Sequence, residues 1–453
     1  MVKLKVKFVC QNCGASYSKW SGKCEQCGEW NTLLEQAVED TGKSAVSRSA
    51  SSGKVLSVQS VNSIDAGDEK ARLKTGFGDL DDVLGGGILP ASVTLLAGQP
   101  GIGKSTLLLQ VCSNIALSVP VLYISGEESA HQVKLRAERI AKKHHEDLSF
   151  ASSTSADDIA ATVRSGKYGL VVVDSIQTLN LAEVSSAPGT VSQVTNSGNV
   201  IIRAAKASNT AVVIVGHVTK EGTLAGPKIL EHLVDVVLNF EGDRYGGFKT
   251  LRAVKNRFGS TNELAIFEMD SSGLKPVANP SAALLSERQN TDGSIVLATI
   301  EGARPILVEI QALVNTTSFG YPKRTASGFD LNRLNLLVAV LEQRTKLRLS
   351  DKDIYLNVVG GMKLNDPAAD LAVCMAVASA AGARKLNEEL VVFGEVGLGG
   401  EIRSAYGADK RIAEAKKLGF TAAIAPKSAA KGSSKFVLPA TDLRQALIKY
   451  INK

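Results

Sequence analysis

The 453-residue chain has no apolar run long enough to cross a bilayer. Its longest nearly apolar stretch, residues 371–383, falls short of the 18 or more that a spanning helix needs and is broken by Ser379. The first nine residues alternate lysine with single apolar residues and lack the apolar block of a secretion signal, so a cytoplasmic location is expected. Cysteine is scarce: four of the six fall between Cys10 and Cys27, a clustering that does not resemble a disulfide framework and points to metal. Compositional bias is absent too, since 44% hydrophobic and 21% charged residues exclude a disordered or collagenous chain. No tandem repeat is visible. Neither sign of charge dominates, with 52 Lys and Arg against 45 Asp and Glu, a net +7. From residue 275 onward the balance is 24 against 17, so the whole excess lies in the C-terminal part.

At about 100 to 200 residues per domain, the length predicts two to four domains. Residues 1–34 carry the cysteine cluster. Residues 35–70, with Ser47, Ser49, Ser51 and Ser52 close together, read as a linker. Over residues 71–272, β-branched runs at 93–97, 121–124, 170–173 and 211–215 alternate with helical stretches, as buried parallel strands of an α/β domain do. A turn-rich stretch with Gly273, Pro276 and Asn279 opens a second α/β module, residues 273–453. There the pattern predicts a hairpin over 295–314, an amphipathic helix over 331–343, an alternating strand over 354–359 and a buried helix over 370–383.

Cys10 and Cys13 form one CxxC pair and Cys24 and Cys27 a second, each followed by glycine. Four thiolates in two short loops fit a closed tetrahedral Zn²⁺ site that stabilises a small fold. A redox or disulfide pair is the alternative. Cys112 and Cys374 stand in apolar surroundings and read as core.

Gly98, Gln99, Pro100, Gly101, Ile102, Gly103, Lys104 and Ser105 match GxxxxGK[ST] between a strand and a helix that opens at Thr106. Such a loop cradles the phosphates of ATP with backbone N–H groups, Lys104 reaching the terminal phosphates and Ser105 supporting Mg²⁺. Asp174 ends an apolar strand, as a carboxylate supporting Mg²⁺ does, or caps the next helix. Glu127, with Glu128 as the alternative, is placed to deprotonate attacking water; a solvated acidic helix start is the bland reading of both. His217 ends the next strand, either as a γ-phosphate sensor or as a core histidine.

These motifs, the approach Thr75-Gly-Phe-Gly-Asp-Leu-Asp-Asp-Val-Leu-Gly-Gly-Gly-Ile88 and the pentapeptide Lys255-Asn-Arg-Phe-Gly259 resemble the RecA-like ATPase core. With the four-cysteine finger, the chain is similar over essentially its whole length to the RadA (Sms) family of bacterial DNA repair proteins. The resemblance implies a DNA-stimulated ATPase, a hexameric homo-oligomeric ring that processes recombination intermediates by branch migration. Its implied partners are single-stranded and branched DNA and the RecA recombinase. It implies further that residues 183–199 and 220–228, rich in small polar residues, are mobile loops facing a central channel, with Lys220 and Lys228 on phosphates. Lys255 and Arg257, two apart beyond a strand over 250–254, point the same way with Asn256 opposite. The resemblance puts that pair at a subunit boundary facing the neighbour's nucleotide.

The C-terminal module resembles the proteolytic domain of Lon proteases in its hairpin, in residues 357–361 and in Gly394-Glu-Val396. Where that family carries its nucleophilic serine, this chain has Pro367-Ala368-Ala369, and the family's lysine falls near Asp409 or Lys410. Without a nucleophile there is no covalent catalysis, and a scaffold is expected. Lys323, Arg324, Arg344, Lys346 and Arg348 supply a basic face for DNA phosphates, Lys346 and Arg348 foremost; a merely solvated face is the alternative. The leading reading is a DNA-translocating ATPase, followed by a RecA-like regulatory switch or kinase, and then an ATP-dependent protease, which Ala368 opposes.

Overall fold

The computed structural model describes residues 3–10, 15–26, 28–30, 32–40, 60, 72–140, 147–217, 229–242, 248–317, 320–430 and 435–451. The chain forms two compact units, one of residues 1–241, 251–261 and 270–274, the other of residues 242–250, 262–269 and 275–453.

The first unit begins with a three-stranded antiparallel sheet, β1 (Lys3–Cys10), β2 (Ser16–Tyr17) and β3 (Leu33–Asp40), in the order β2-β1-β3. The lysine alternation at the N-terminus is the two-residue period of a strand. β3 runs past the boundary expected at residue 34, because all eight residues of β1 find partners on it, out to Lys3 opposite Asp40.

The larger sheet contains six parallel strands: β4 (Val93–Gly98), β5 (Val121–Ser125), β6 (Leu148–Ser152), β7 (Leu170–Asp174), β8 (Ala211–His217) and β9 (Val236–Gly242). They lie in the order β9-β4-β8-β7-β5-β6, with β10 (Lys249–Asn256) beyond β9. Every residue of β4, β5 and β7 is buried, which is why these strands are continuous apolar runs rather than alternating ones. Helix α1 (Lys104–Ile115) leaves β4; α2 (Ala156–Arg164) and α3 (Val191–Ser208) pack Ile159, Val163, Ile201 and Ala205 against Val171, Val173, Val212 and Ile214.

The second unit has a seven-stranded mixed sheet. Its strands are β11 (Ser294–Glu301), β12 (Arg304–Thr316), β13 (Arg324–Ser327), β14 (Lys352–Val358), β15 (Leu390–Val392), β16 (Ala422–Pro426) and β17 (Val437–Ala440), in the order β13-β14-β12-β11-β15-β16-β17. Helix α4 (Leu331–Thr345) buries one stripe, whereas α5 (Asp370–Gly382) is buried from Asp370 to Ser379, as a helix apolar all round must be. Helix α6 (Ala408–Lys417) buries Arg411, Ile412 and Ala415. Among the described residues no helix is long and apolar enough to cross a membrane.

Candidate active site

Strand register gathers the polar positions at one end of the larger sheet. β4 pairs with β8 so that Gly98 faces His217, and β5 pairs with β7 so that Ser125 faces Asp174. These are carboxyl ends of parallel strands, where open α/β sheets collect ligands. Gly98 has no room for a side chain, since a Cβ there would lie 2.6 Å from the Phe240 carbonyl oxygen. Gly103, at φ 115°, takes the left-handed turn that starts α1 with Lys104.

Lys104 is only 4% exposed. Its ammonium donates to the carbonyls of Gly98 (2.7 Å) and Gln99 (3.0 Å) and lies 3.1 Å from His217 Nδ1. An ammonium only donates, so Nδ1 accepts and the ring hydrogen sits on Nε2, which lies 3.4 Å from Glu127 Oε1. Burial lowers the Lys104 pKa to about 8, against the opposing pull of Asp174 and Glu127. Ser175 donates to Glu127 Oε1 at 2.5 Å, and Tyr123 donates to Asp174 Oδ2 at 2.5 Å. Burial, and then the charge of Asp174, pushes the Tyr123 phenol well above its ordinary range, so it stays a donor.

The two candidate glutamates part ways. Glu127 is 44% exposed, so water reaches it, whereas the Glu128 carboxylate accepts from both terminal nitrogens, Nη1 and Nη2, of Arg136. The nucleotide loop, Asp174, His217 and Glu127 thus form one constellation. Tyr123 and Ser175 belong to it and were not singled out from the sequence. A tyrosine inside an otherwise apolar strand was the available signal, because a buried hydroxyl needs a partner.

Residues 255–259 pack on the glycine loop of the approach segment. A Cβ on Gly259 would lie 2.8 Å from the Gly85 Cα, and the Asn256 amide donates to the Val83 carbonyl at 3.1 Å. Lys255 and Arg257 turn away from Asn256 to a shared place: Lys255 Nζ donates to the carbonyls of Glu231, His232 and Val234, and Arg257 lies 3.5 Å from Asp235 Oδ1. Asp235, 3% exposed, also accepts from the Val93 amide at 3.1 Å. Lys255 is therefore tied within its own chain, while the Arg257 side chain remains 54% exposed.

The mobile loop expected over 183–199 is instead helical from Val191 onward. Thr190 caps α3 by accepting from the Gln193 amide, Thr195 bonds the Val191 carbonyl at 2.8 Å, and Ser192 and Asn196 bond the carbonyl of Glu35 on β3. Thr195, Ser192 and Asn196 thus bond backbone carbonyls along a buried helix face rather than loosening a loop. Lys220 and Lys228 lie outside the described residues. Lys346 and Arg348 are exposed, Lys346 ending α4 in a left-handed turn at φ 63°.

Among the expected zinc ligands, Cys10 and Cys24 are buried side by side with Leu33, and Cys13 and Cys27 lie outside the described residues. Cys10 Sγ lies 3.3 Å from the Thr32 hydroxyl and Cys24 Sγ 3.3 Å from that of Tyr17. Gly28, at φ 77°, closes a tight turn back to the Cys24 carbonyl at 2.8 Å. Buried sulfurs in tight turns beside hydroxyls suit a metal-held knuckle. Cys112 and Cys374 are core, their thiols pushed up by burial.

In the second unit Ala368 is 2% exposed, and its amide donates to Asp366. The positions expected there, Asp409 and Lys410, are both exposed on α6, and the cation that reaches this turn is the next residue: Arg411 bonds Asp366 at 2.6 Å, Ala298 O at 2.6 Å and Tyr406 O at 3.0 Å. A helix turns 100° per residue, so one step in register moves a side chain from solvent to core.

A family model described as "AAA domain" matches residues 65–223, one described as "Rubredoxin metal binding domain" residues 8–35, and one described as "Subunit ChlI of Mg-chelatase" residues 333–429. A DNA repair protein RadA of Pseudomonas aeruginosa is 47% identical over 453 residues, 99% of each chain. One of Bacillus subtilis is 48% identical over 440 residues, covering 96% of this chain and 95% of its own. The crystal structure of the RadB recombinase covers 45% of this chain and 99% of its own at 23% identity and TM-score 0.36. With a P-loop ATPase core of RecA type between a zinc ribbon and a Lon-protease-like domain, and near-half identity along its whole length, the chain belongs to the RadA family of DNA repair proteins.

Proposed function

We propose that the chain is a DNA-stimulated ATPase that translocates on single-stranded and branched DNA and processes recombination intermediates by branch migration, acting in the cytoplasm with the RecA recombinase as a hexameric ring. The linked array Lys104–His217–Glu127–Ser175 at the strand ends carries the reading. In it, residues 98–106 bind the phosphates of ATP, and Lys104 exchanges its loop carbonyls for phosphate oxygens. Glu127, oriented by Ser175, takes the proton of the attacking water. His217, bridging Lys104 and Glu127, registers the γ-phosphate for the segment that follows it. Ser105 and Asp174 are hard oxygen donors suited to Mg²⁺, which when bound neutralises phosphate charge, and Tyr123 positions Asp174 for it. Cys10, Cys13, Cys24 and Cys27 would hold Zn²⁺ as a fold-stabilising ion. Arg257 serves the neighbour's nucleotide in trans, Lys255 anchors the strand end that carries it, and Lys220, Lys228, Lys346 and Arg348 meet DNA.

The test is ATP turnover with and without single-stranded DNA. Clear stimulation is expected; equal rates would favour a regulatory switch. The variant Arg257→Ala should keep nucleotide binding and lose roughly 10³-fold or more in turnover, recovered in part by mixing with Lys104→Ala. Wild-type turnover by Arg257→Ala would remove the trans role.

A further inference from the structure

The ribbon carries a pair of aromatic side chains that neither the nucleotide site nor a core uses. Trp20 is 59% exposed and Trp30 68% exposed. Indoles are among the side chains that gain most from burial, so two of them left in water on one small fold call for a partner. The ribbon brings them together. Lys23 and Trp30 form an isolated antiparallel bridge, and Gly22 lies under both rings: a Cβ there would sit 3.7 Å from Trp30 Cζ3 and 3.8 Å from Trp20 Cη2. The nearest atoms of the two rings are thus no farther apart than those two contacts together. The Lys23 ammonium lies 5.6 Å from the Trp30 ring centroid. Lys7 and Lys19 are exposed on the same ribbon, as are Glu25 and Glu29, and residues 1–34 hold five lysines against these two acids.

We propose that Trp20 and Trp30, with Lys23 beside them, form a stacking platform for the bases of single-stranded nucleic acid. Every base has a flat π-face, so stacking on indole tolerates any sequence, while a lysine beside the ring meets the phosphate that each stacked nucleotide carries. An aliphatic protein surface would find lysines interleaved with its apolar contacts, and an acidic peptide would leave the ring faces unused. The inference rests on the reading that this chain meets DNA and adds a contact surface separate from the ATPase unit's loops and from the basic C-terminal face.

The chain contains only two tryptophans, both in the platform, so intrinsic indole fluorescence reports on this surface alone. The full-length, zinc-loaded chain is titrated, without nucleotide, with a short oligo(dT), with an abasic oligonucleotide of equal length and with polyglutamate; anisotropy of a labelled oligo(dT) reports total DNA binding. Saturable quenching by oligo(dT) alone is expected. The variants Trp20→Ala and Trp30→Ala, checked for unchanged zinc content, should each weaken oligo(dT) binding roughly fivefold or more. Binding seen by anisotropy with unchanged indole emission would overturn the platform and leave the DNA motor standing. Absence of binding by anisotropy would overturn both. Equal quenching by the abasic strand or polyglutamate would replace base stacking with simple anion binding and overturn the proposal.

Discussion

Each unit has a carboxylate beside a cation where sheet meets helix, and the two places differ in what surrounds the charges. In the first, Lys104 is held by two loop carbonyls and a histidine, and Glu127 is 44% exposed. These partners can be exchanged for phosphate and water. In the second, Arg411, 1% exposed, spends its donors on Asp366, Ala298 and Tyr406, lies 5.6 Å from the Phe393 ring, and faces a turn in which Ala368 offers only a methyl group. Every charge there is saturated by protein. A buried charge marks chemistry when its partners are replaceable by substrate, and architecture when they are not.

The sharpest way to break this contrast is to neutralise the exposed acid. Glu127→Gln should lower ATP turnover by roughly 10² to 10⁴ while nucleotide still binds, whereas Glu128→Gln, which only loosens Arg136, should stay within a few-fold. The reverse order in a steady-state ATPase assay would reassign the base.

On the architectural side, Arg411→Met leaves the Asp366 carboxylate, 11% exposed, without its guanidinium. Denaturant unfolding of the second unit should show a loss of about 3–5 kcal/mol, much of it restored by adding Asp366→Asn, with ATP turnover per folded molecule unchanged. A loss below about 1 kcal/mol would mean that the pair is not saturated as described.

A gentler perturbation uses pH. Burial lowers the Lys104 pKa to about 8, and an anionic phosphate favours its ammonium form. ATP affinity should therefore be flat below pH 8 and fall about tenfold per unit above it, with a proton taken up on binding, visible as buffer-dependent heat. No proton uptake at pH 9 would place the titration elsewhere.

The smallest effect is expected from restoring a hydroxyl. Ala368→Ser should yield no peptidase activity on a denatured protein substrate, because the nearby cation is a guanidinium that cannot deprotonate to serve as a base. Any specific cleavage would show that the second unit kept more of its chemistry than its partners allow.

Much of the nucleotide site was legible because its signals are local. The loop of residues 98–106 needs glycines at particular places, and a strand ending in Asp174 shows its polar end against an apolar run. Glu127 was preferred with Glu128 as the alternative, and only the long-range contacts to Ser175 and Arg136 give the two different surroundings. Small polar residues over 183–199 suggest a loop when solvated, but from Val191 onward they stand in a helix where Thr195 and Asn196 bond carbonyls one turn back and Ser192 bonds the Glu35 carbonyl on β3. Resemblance to Lon proteases pointed to Asp409 or Lys410, whereas the cation at the Asp366 turn is Arg411, since only packing shows which face of α6 points inward.

By itself the sequence determined the P-loop, the cysteine pairs and the alanine at position 368, because each depends on residue types at short spacing. Tertiary structure alone decided which glutamate meets water, that Tyr123 and Ser175 hold the acids, that Lys255 is tied to its own chain while Arg257 stays exposed, and that Arg411 closes the second unit's turn. Those outcomes depend on strand register and helix phase, which bring together residues far apart in the chain.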